Sequence, residues 1–229
     1  MALAMIRKLP IYLLVDTSAS MTGRPIEIVK EGIGMLVQGL REDPRTLETA
    51  WLSIITFGGE AKQVVPLTSI QDFTCPKLDV GGKTELGAAL RLVCECRERE
   101  CRKHGWKDSD GMVHRGDHRP NVFLMSDGHS NEVSLDAAIR EFRSQRWGVV
   151  ACTTSSGADV NTLNRIVDKE SIVFLNSISA YSLHSYVRIW SSPEPSLTSN
   201  FIASDVIAKP NPDFPMLLLF PSHPSTPVL

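Results

Sequence analysis

The sequence predicts an α/β fold: a doubly wound, mostly parallel six-stranded sheet with one antiparallel edge strand and helices on both faces. Three observations carry this. Two segments, Ile11 to Val15 and Asn121 to Met125, are apolar almost without interruption, as strands covered on both faces must be. Between and after such segments come stretches whose apolar residues recur at helical spacing, and this alternation is the mark of parallel strands joined by crossover helices. One pair of strand-like runs is separated only by Gly58-Gly59-Glu60, which is too short for a crossover and therefore makes a hairpin.

The elements follow in chain order. Ile11 to Val15 is the first strand and ends at Asp16. From Pro25, favoured in a first helical turn, Val29, Ile33, Leu36, Val37 and Leu40 trace one helix face until Asp43-Pro44 stops the pattern. Residues Trp51 to Phe57 and Lys62 to Leu67 form the hairpin, whose second strand belongs at a sheet edge. After a loop holding Cys75-Pro76 and Gly81-Gly82, a helix is predicted from Thr84 to about His104, with Leu86, Leu90, Val93 and Cys94 on one face. A polar stretch from His104 to Arg119 leads to the strand Asn121 to Met125, which ends at Ser126-Asp127. Leu135, Ala138, Ile139 and Phe142 mark another helix. Trp147 to Thr153 reads as a strand, Val160 to Val167 as a short helix, Ser171 to Leu175 as a final strand, and Ser179 to about Ile189 as a closing helix. Crossovers should be right-handed.

In such a sheet, loops leaving the carboxyl ends of adjacent strands converge on one crevice. Three motifs fall there: Asp16-Thr17-Ser18-Ala19-Ser20, Gly81-Gly82-Lys83-Thr84 and Ser126-Asp127-Gly128. Together Asp16, Ser18, Ser20, Thr84 and Asp127 offer five oxygen donors to one hard cation. Magnesium suits such a set, since it takes oxygen ligands and usually only one or two carboxylates; manganese and calcium are the other candidates. Each motif taken singly also fits a helix cap or a turn, and it is their coincidence at the ends of the expected elements that favours a metal site. Gly81 and Gly82 would allow close approach of the backbone to the ion.

The pattern D-x-S-x-S, followed by a distant Thr and a distant Asp, resembles the metal-ion-dependent adhesion site (MIDAS) of von Willebrand factor A domains. The resemblance runs from about Leu9 to Trp190 and implies a Rossmann-like fold. It further implies that Asp16, Ser18, Ser20, Thr84 and Asp127 are the metal ligands and that an acidic residue of a partner completes the shell. The run Leu9 to Asp16, with Leu86 to Leu92 and Cys94-Glu95-Cys96, is most similar to the TerY-type proteins of bacterial tellurite-resistance clusters. That similarity implies a stress-linked role in a signalling assembly, with a protein kinase or phosphatase among the candidate partners.

Composition narrows the alternatives. A net charge of -2 with both signs interspersed supplies no field for nucleic acid or anionic lipid. Residues 1–10 hold two basic side chains but no apolar run long enough for a signal peptide or a membrane span, so a cytoplasmic protein is expected. The five cysteines then read as reduced thiols. Cys94, Cys96, Cys101 and His104 invite a zinc site, yet on a helix Cys94 and Cys96 point to nearly opposite faces, which favours structural thiols. The late-strand Cys152 reads the same way.

No nucleophile elbow or phosphate-binding loop is present, and His129, beside Asp127, reads as a solvated loop residue rather than a general base. The expectation is a non-enzymatic, magnesium-dependent interaction module with no catalytic residues. The alternatives are a metal-assisted phosphoester hydrolase and a structural subunit whose ion only holds loops together. Residues 1–190 should form the domain. Residues 191–229 carry eight of the chain's 14 prolines and read as a tail whose apolar patch, Phe214 to Phe220, docks on the domain, on a second copy or on a partner.

Overall fold

The computed structural model of the chain describes residues 6–130, 132, 134–154, 158–167 and 171–174. The predicted closing helix at 179–189 and the tail at 191–229 lie outside the described residues.

The central strand β1 (Leu9–Asp16) is buried at every position. It pairs in parallel with β2 (Ala50–Phe57) on one side and with β6 (Asn121–Met125) on the other, so Asp16 and Asp127 leave neighbouring strands at the same end of the sheet. Next to β2 runs β3 (Ala61–Ser69), antiparallel and at the edge; beyond β6 come β7 (Gly148–Thr153) and β8 (Ile172–Phe174), both parallel. The order β3-β2-β1-β6-β7-β8 is the predicted six-stranded, doubly wound sheet. Pro66, which has no N–H to give a ladder, is exposed on β3, and the β2–β3 register shifts between Leu52 and Ile54 and again between Ile54 and Ile55, so the pairing of the outer strand is irregular.

Alternation along β1 divides the core. Ile11, Leu13 and Val15 face α1 (Arg24–Glu42), packing with Ile26, Val29, Ile33 and Leu36; Tyr12 and Leu14 face the opposite layer. That layer is α3 (Leu86–Glu100), α4 (Leu135–Ser144) and α5 (Val160–Ile166), which contribute Leu90, Val93, Ile139, Phe142 and Leu163. A side chain such as Leu13 or Leu14, fully removed from water, contributes about 1.5–3 kcal/mol, so burial on both faces fixes the position of the strand whose end carries Asp16.

Four local features depart from the sequence reading. Asp43-Pro44 both ends α1 and begins a short helix, α2 (Pro44–Thr49), because the Asp43 carboxylate accepts the Arg45 N–H and caps it. A 3-10 turn, Ala19–Met21, follows Ser18. Helix α3 starts at Leu86, leaving Thr84 in the preceding loop, and ends at Glu100 because Cys101 turns extended (φ -109°, ψ 139°) instead of continuing towards His104. The polar stretch before β6 contains a small hairpin, β4 (Trp106–Lys107) with β5 (Val113–His114), closed by Asp108 accepting the N–H groups of Asp110 and Met112 and by Trp106 stacking on His114 at 4.7 Å. Asp117, just beyond this hairpin, accepts the N–H groups of Lys8 and Arg102 and pairs with the Arg102 guanidinium at 3.0 Å, which anchors the insertion to the start of β1.

Candidate metal centre

The first loop grows directly from β1. Asp16 is fully buried, and its Oδ1 accepts the Ser18 N–H at 2.9 Å, which bends the chain sharply so that Ser18 and Ser20 come side by side with their hydroxyl oxygens 3.0 Å apart. Ser18 is buried and Ser20 exposed, so the pair spans the step from interior to solvent.

The second loop is laid against the first by backbone bonds. Gly81 N–H donates to the Thr17 carbonyl at 2.7 Å and Ala19 N–H to the Gly82 carbonyl at 3.1 Å. The β2–β3 turn supports it from the other side, with Gly59 N–H donating to the Lys83 carbonyl at 2.6 Å. This packing leaves no room for a side chain at Gly58 or Gly82, whereas an added Cβ on Gly81 would meet nothing within 4 Å. A Cβ on Gly58 would lie 2.4 Å from the Thr17 carbonyl oxygen, and one on Gly82, whose φ is +79°, would lie 2.6 Å from the Gly59 Cα. The result is a half-buried Thr84 at the rim of the first loop.

The third loop leaves β6. Ser126 Oγ donates to Asp16 Oδ2 at 2.6 Å and accepts the Gly128 N–H at 3.0 Å. Asp127 is buried; its Oδ1 accepts the His129 N–H at 3.0 Å, and its carbonyl accepts the Asp159 N–H at 2.8 Å from the loop that caps α5. Two residues of the site carry no sequence pattern of their own. Ser126 was visible only as the neighbour of Asp127. Glu132 gave no periodic signal, yet its carboxylate reaches α3, accepting the Gly87 N–H at 2.7 Å and pairing with Arg91 at 2.9 Å.

Ser18, Ser20 and Thr84 line one open cleft of about 450 Å³, with Lys83, Glu85 and His129 on its walls. Burial pushes the Asp16 carboxyl above its ordinary range; hydrogen bonds from Ser126 and Ser18 oppose the shift, and the nearby Asp127 charge adds to it. Two buried carboxyl groups, one near enough for its charge to raise the pKa of the other, beside neutral hydroxyls, suit a compensating cation. The donor set fits a hard one: every candidate atom is oxygen, and adjacent corners of an octahedron with ligand distances of about 2.1 Å are about 3.0 Å apart, the Ser18–Ser20 separation.

Cys94, Cys96, Cys101 and His104 do not form a soft-metal site. Among the described residues no three His, Cys, Asp or Glu side chains cluster as ligands; Cys94, Cys96 and Cys101 are buried free thiols, and His104 is exposed. Burial lifts the Cys94 thiol to about 11 and the Cys152 thiol to about 12, away from thiolate chemistry. Among the described residues no helix is long and apolar enough to cross a membrane.

Residues 11–187 match the family model of the von Willebrand factor type A domain. No curated protein matches the sequence. Among solved structures, the chain resembles proximal thread matrix protein 1 of the mussel byssus in its form with a zinc-occupied MIDAS motif, with 22% identity, a TM-score of 0.56, and coverage of 80% of this chain and 47% of the mussel protein. It also resembles the manganese-loaded TRAP protein of Plasmodium vivax, with 18% identity, a TM-score of 0.55, and coverage of 77% and 72% respectively. A third is the ArnB paralog VWA2 of Sulfolobus acidocaldarius, with 17% identity, a TM-score of 0.52, and coverage of 82% and 46%. At these identities the likeness is one of fold, and this chain spans about half the length of the mussel protein.

Proposed function

The chain belongs to the von Willebrand factor type A domain family, and from that premise we propose that it is a magnesium-dependent interaction module that captures an acidic group of a protein partner. The observation that carries this reading is the convergence of three loops, with Ser18, Ser20 and Thr84 lining one open cleft and Asp16 and Asp127 buried at the adjacent strand ends. Asp16, Ser18, Ser20, Thr84 and Asp127 would hold the ion. When bound, the ion supplies a Lewis-acidic position that accepts an external carboxylate. The zinc and manganese forms of the mussel and Plasmodium proteins support divalent metal as the class of ligand. Manganese and calcium are the alternatives to magnesium.

Two carboxylates against one divalent ion would leave that set neutral, so an external carboxylate would be held by an open coordination position on the ion, helped by Lys83 and opposed by Glu85 and Glu132 on the same cleft. We assign no catalytic residue. His129 lines the cleft and is the group that a hydrolytic reading would need as base; its backbone N–H serves to hold Asp127, and its side chain is exposed. The similarity to TerY-type proteins supports a stress-response or phosphorylation-signalling assembly as the setting, with a kinase or phosphatase as partner.

The test has three parts on the full chain. Manganese or magnesium at about 100 times its dissociation constant should stabilise the fold by about 2.7 kcal/mol in thermal melts, and Asp16→Ala should abolish the gain. A purified candidate kinase or phosphatase should bind with magnesium and be released by chelator. Phosphoester hydrolysis should not exceed a metal-only control; turnover that disappears with His129→Ala would replace the interaction reading with an enzymatic one.

A further inference from the structure

The three site loops form a triangle, and each side is closed by different chemistry. The first and second are joined by backbone bonds, Gly81 to Thr17 and Ala19 to Gly82. The first and third are joined by the Ser126 hydroxyl on Asp16. On the remaining side the link is made by side chains. Glu132, five residues beyond Asp127, reaches across to the first turn of α3, three residues beyond Thr84. One carboxylate oxygen takes the Gly87 N–H at 2.7 Å; the other takes the Arg91 guanidinium at 2.9 Å and the Ser134 hydroxyl at 2.6 Å.

The surroundings are shaped for this contact. Gly87 and Arg91 lie one turn apart on the same helix face, so one carboxylate can engage both. The Gly87 N–H is one of the donors that a helix start leaves without an intrahelical partner, and a negative charge is favoured there. Gly87 itself is otherwise costly, since glycine within a helix is less favourable than alanine. Its value is space: a Cβ at this position would meet both Glu132 carboxylate oxygens at 2.7 Å. The Glu132 side chain is 14% exposed, while the Arg91 side chain is 36% exposed, so the carboxylate is the sheltered member of the pair.

We propose that Glu132 is a positioning residue of the metal centre, a staple that sets the Thr84 loop against the Asp127 loop before the ion arrives. The proposal rests on the metal-site reading above. Thr84 is the one candidate ligand on its loop, and that loop is tied on its other flank to the first loop and to the β2–β3 turn; without Glu132 the distance from Thr84 to Asp127 is left to the packing of α3 on α4. The ion spans the same gap, so its affinity depends on how closely the apo protein already holds it.

The experiment is manganese binding by titration calorimetry on the full chain, with urea unfolding of each metal-free variant alongside. Glu132→Ala should raise Kd by ten- to a hundredfold. Glu132→Gln keeps an acceptor for the Gly87 N–H and should recover most of the affinity. Gly87→Ala is the decisive variant: it improves the helix intrinsically but puts a methyl group where the carboxylate sits, so it should raise Kd about tenfold without lowering metal-free stability. In a Thr84→Val background, Glu132→Ala should change Kd less than twofold further, because its effect passes through Thr84. Should Glu132→Ala fail to fold, Gly87→Ala carries the same comparison in both backgrounds. Wild-type affinity in Gly87→Ala, or an equal loss in both backgrounds, overturns the staple. If wild-type protein binds no manganese, magnesium or calcium, it is the metal-site reading that falls, and the staple with it.

Discussion

The Ser126 hydroxyl donates to Asp16 Oδ2 at 2.6 Å, joining the ends of two adjacent parallel strands through a buried hydrogen bond. This bond leaves Asp16 with a defined orientation while its other oxygen is held by the Ser18 N–H. Ser126→Ala should therefore destabilise the metal-free protein by about 1–3 kcal/mol, the usual cost of leaving a buried acceptor short of a partner. It should also weaken manganese binding by about ten- to a hundredfold. Urea unfolding and calorimetric titration check the two effects separately, and unchanged affinity would show that Ser126 does not orient a ligand.

Two glycines make opposite predictions. Gly82 has φ +79° and abuts the Gly59 Cα, so Gly82→Ala should lose several kcal/mol and loosen the cleft. Gly34 lies exposed within α1 with nothing within 4 Å of an added Cβ, so Gly34→Ala should gain about 0.5–1 kcal/mol. Chemical denaturation of both variants decides whether the site loops or the helices limit stability.

Asp117 sets an acid limit. Burial alone would raise its pKa, but the Arg102 N–H, the Arg102 guanidinium and the Lys8 N–H outweigh burial and hold the carboxyl below its usual range. A depressed folded-state pKa stabilises the fold above the unfolded value of about 3.9, and that contribution is lost as pH falls through the folded value. Asp117→Asn should therefore cost about 2 kcal/mol at neutral pH, a deficit that shrinks towards zero as acid protonates the wild-type carboxylate. Unfolding curves from pH 7 down to the acid transition test this; a deficit independent of pH would show that the charge is not what matters.

Thiol reactivity should separate one cysteine from four. Cys75 is exposed, whereas Cys94, Cys96, Cys101 and Cys152 are buried. A thiol-titrating reagent should modify Cys75 alone in the native protein and all five cysteines after denaturation. Rapid native labelling of Cys94 or Cys152 would mean that α3 or β7 opens more readily than its packing implies.

What was legible in the sequence was what repeats or ends abruptly. Ile11 to Val15 and Asn121 to Met125 announce themselves because a strand buried on both faces stays apolar along nearly its whole length until its loop begins at Asp16 or Ser126. The helix faces through Val29 and Leu90 follow from spacing alone. The β4–β5 hairpin was not legible, since two-residue strands have no period to detect, and its closure depends on Asp108 and on a Trp106–His114 stack across the turn. Helix α2 was hidden because Asp43-Pro44 stops one helix with the same residues that start another. Glu132 was hidden for a different reason: a loop acid acquires a role only when a helix distant in sequence is packed beside it. The available hint was Gly87, an unfavoured residue in the first turn of an otherwise strong helix.

The outer flank of β3 has a consequence for how copies of this protein meet. An unpaired strand edge normally templates a strand from a neighbouring molecule, through a row of free N–H and C=O groups. Here Pro66 deletes one donor from that row, the register shift breaks its spacing, and the exposed Lys62 puts a charge on the strand. Arg99 and Glu100 of α3 hold Gln63 between them, pinning the strand from the helix side. At this edge the sheet is terminated by its own sequence, which disfavours fibril-like stacking of copies along β3.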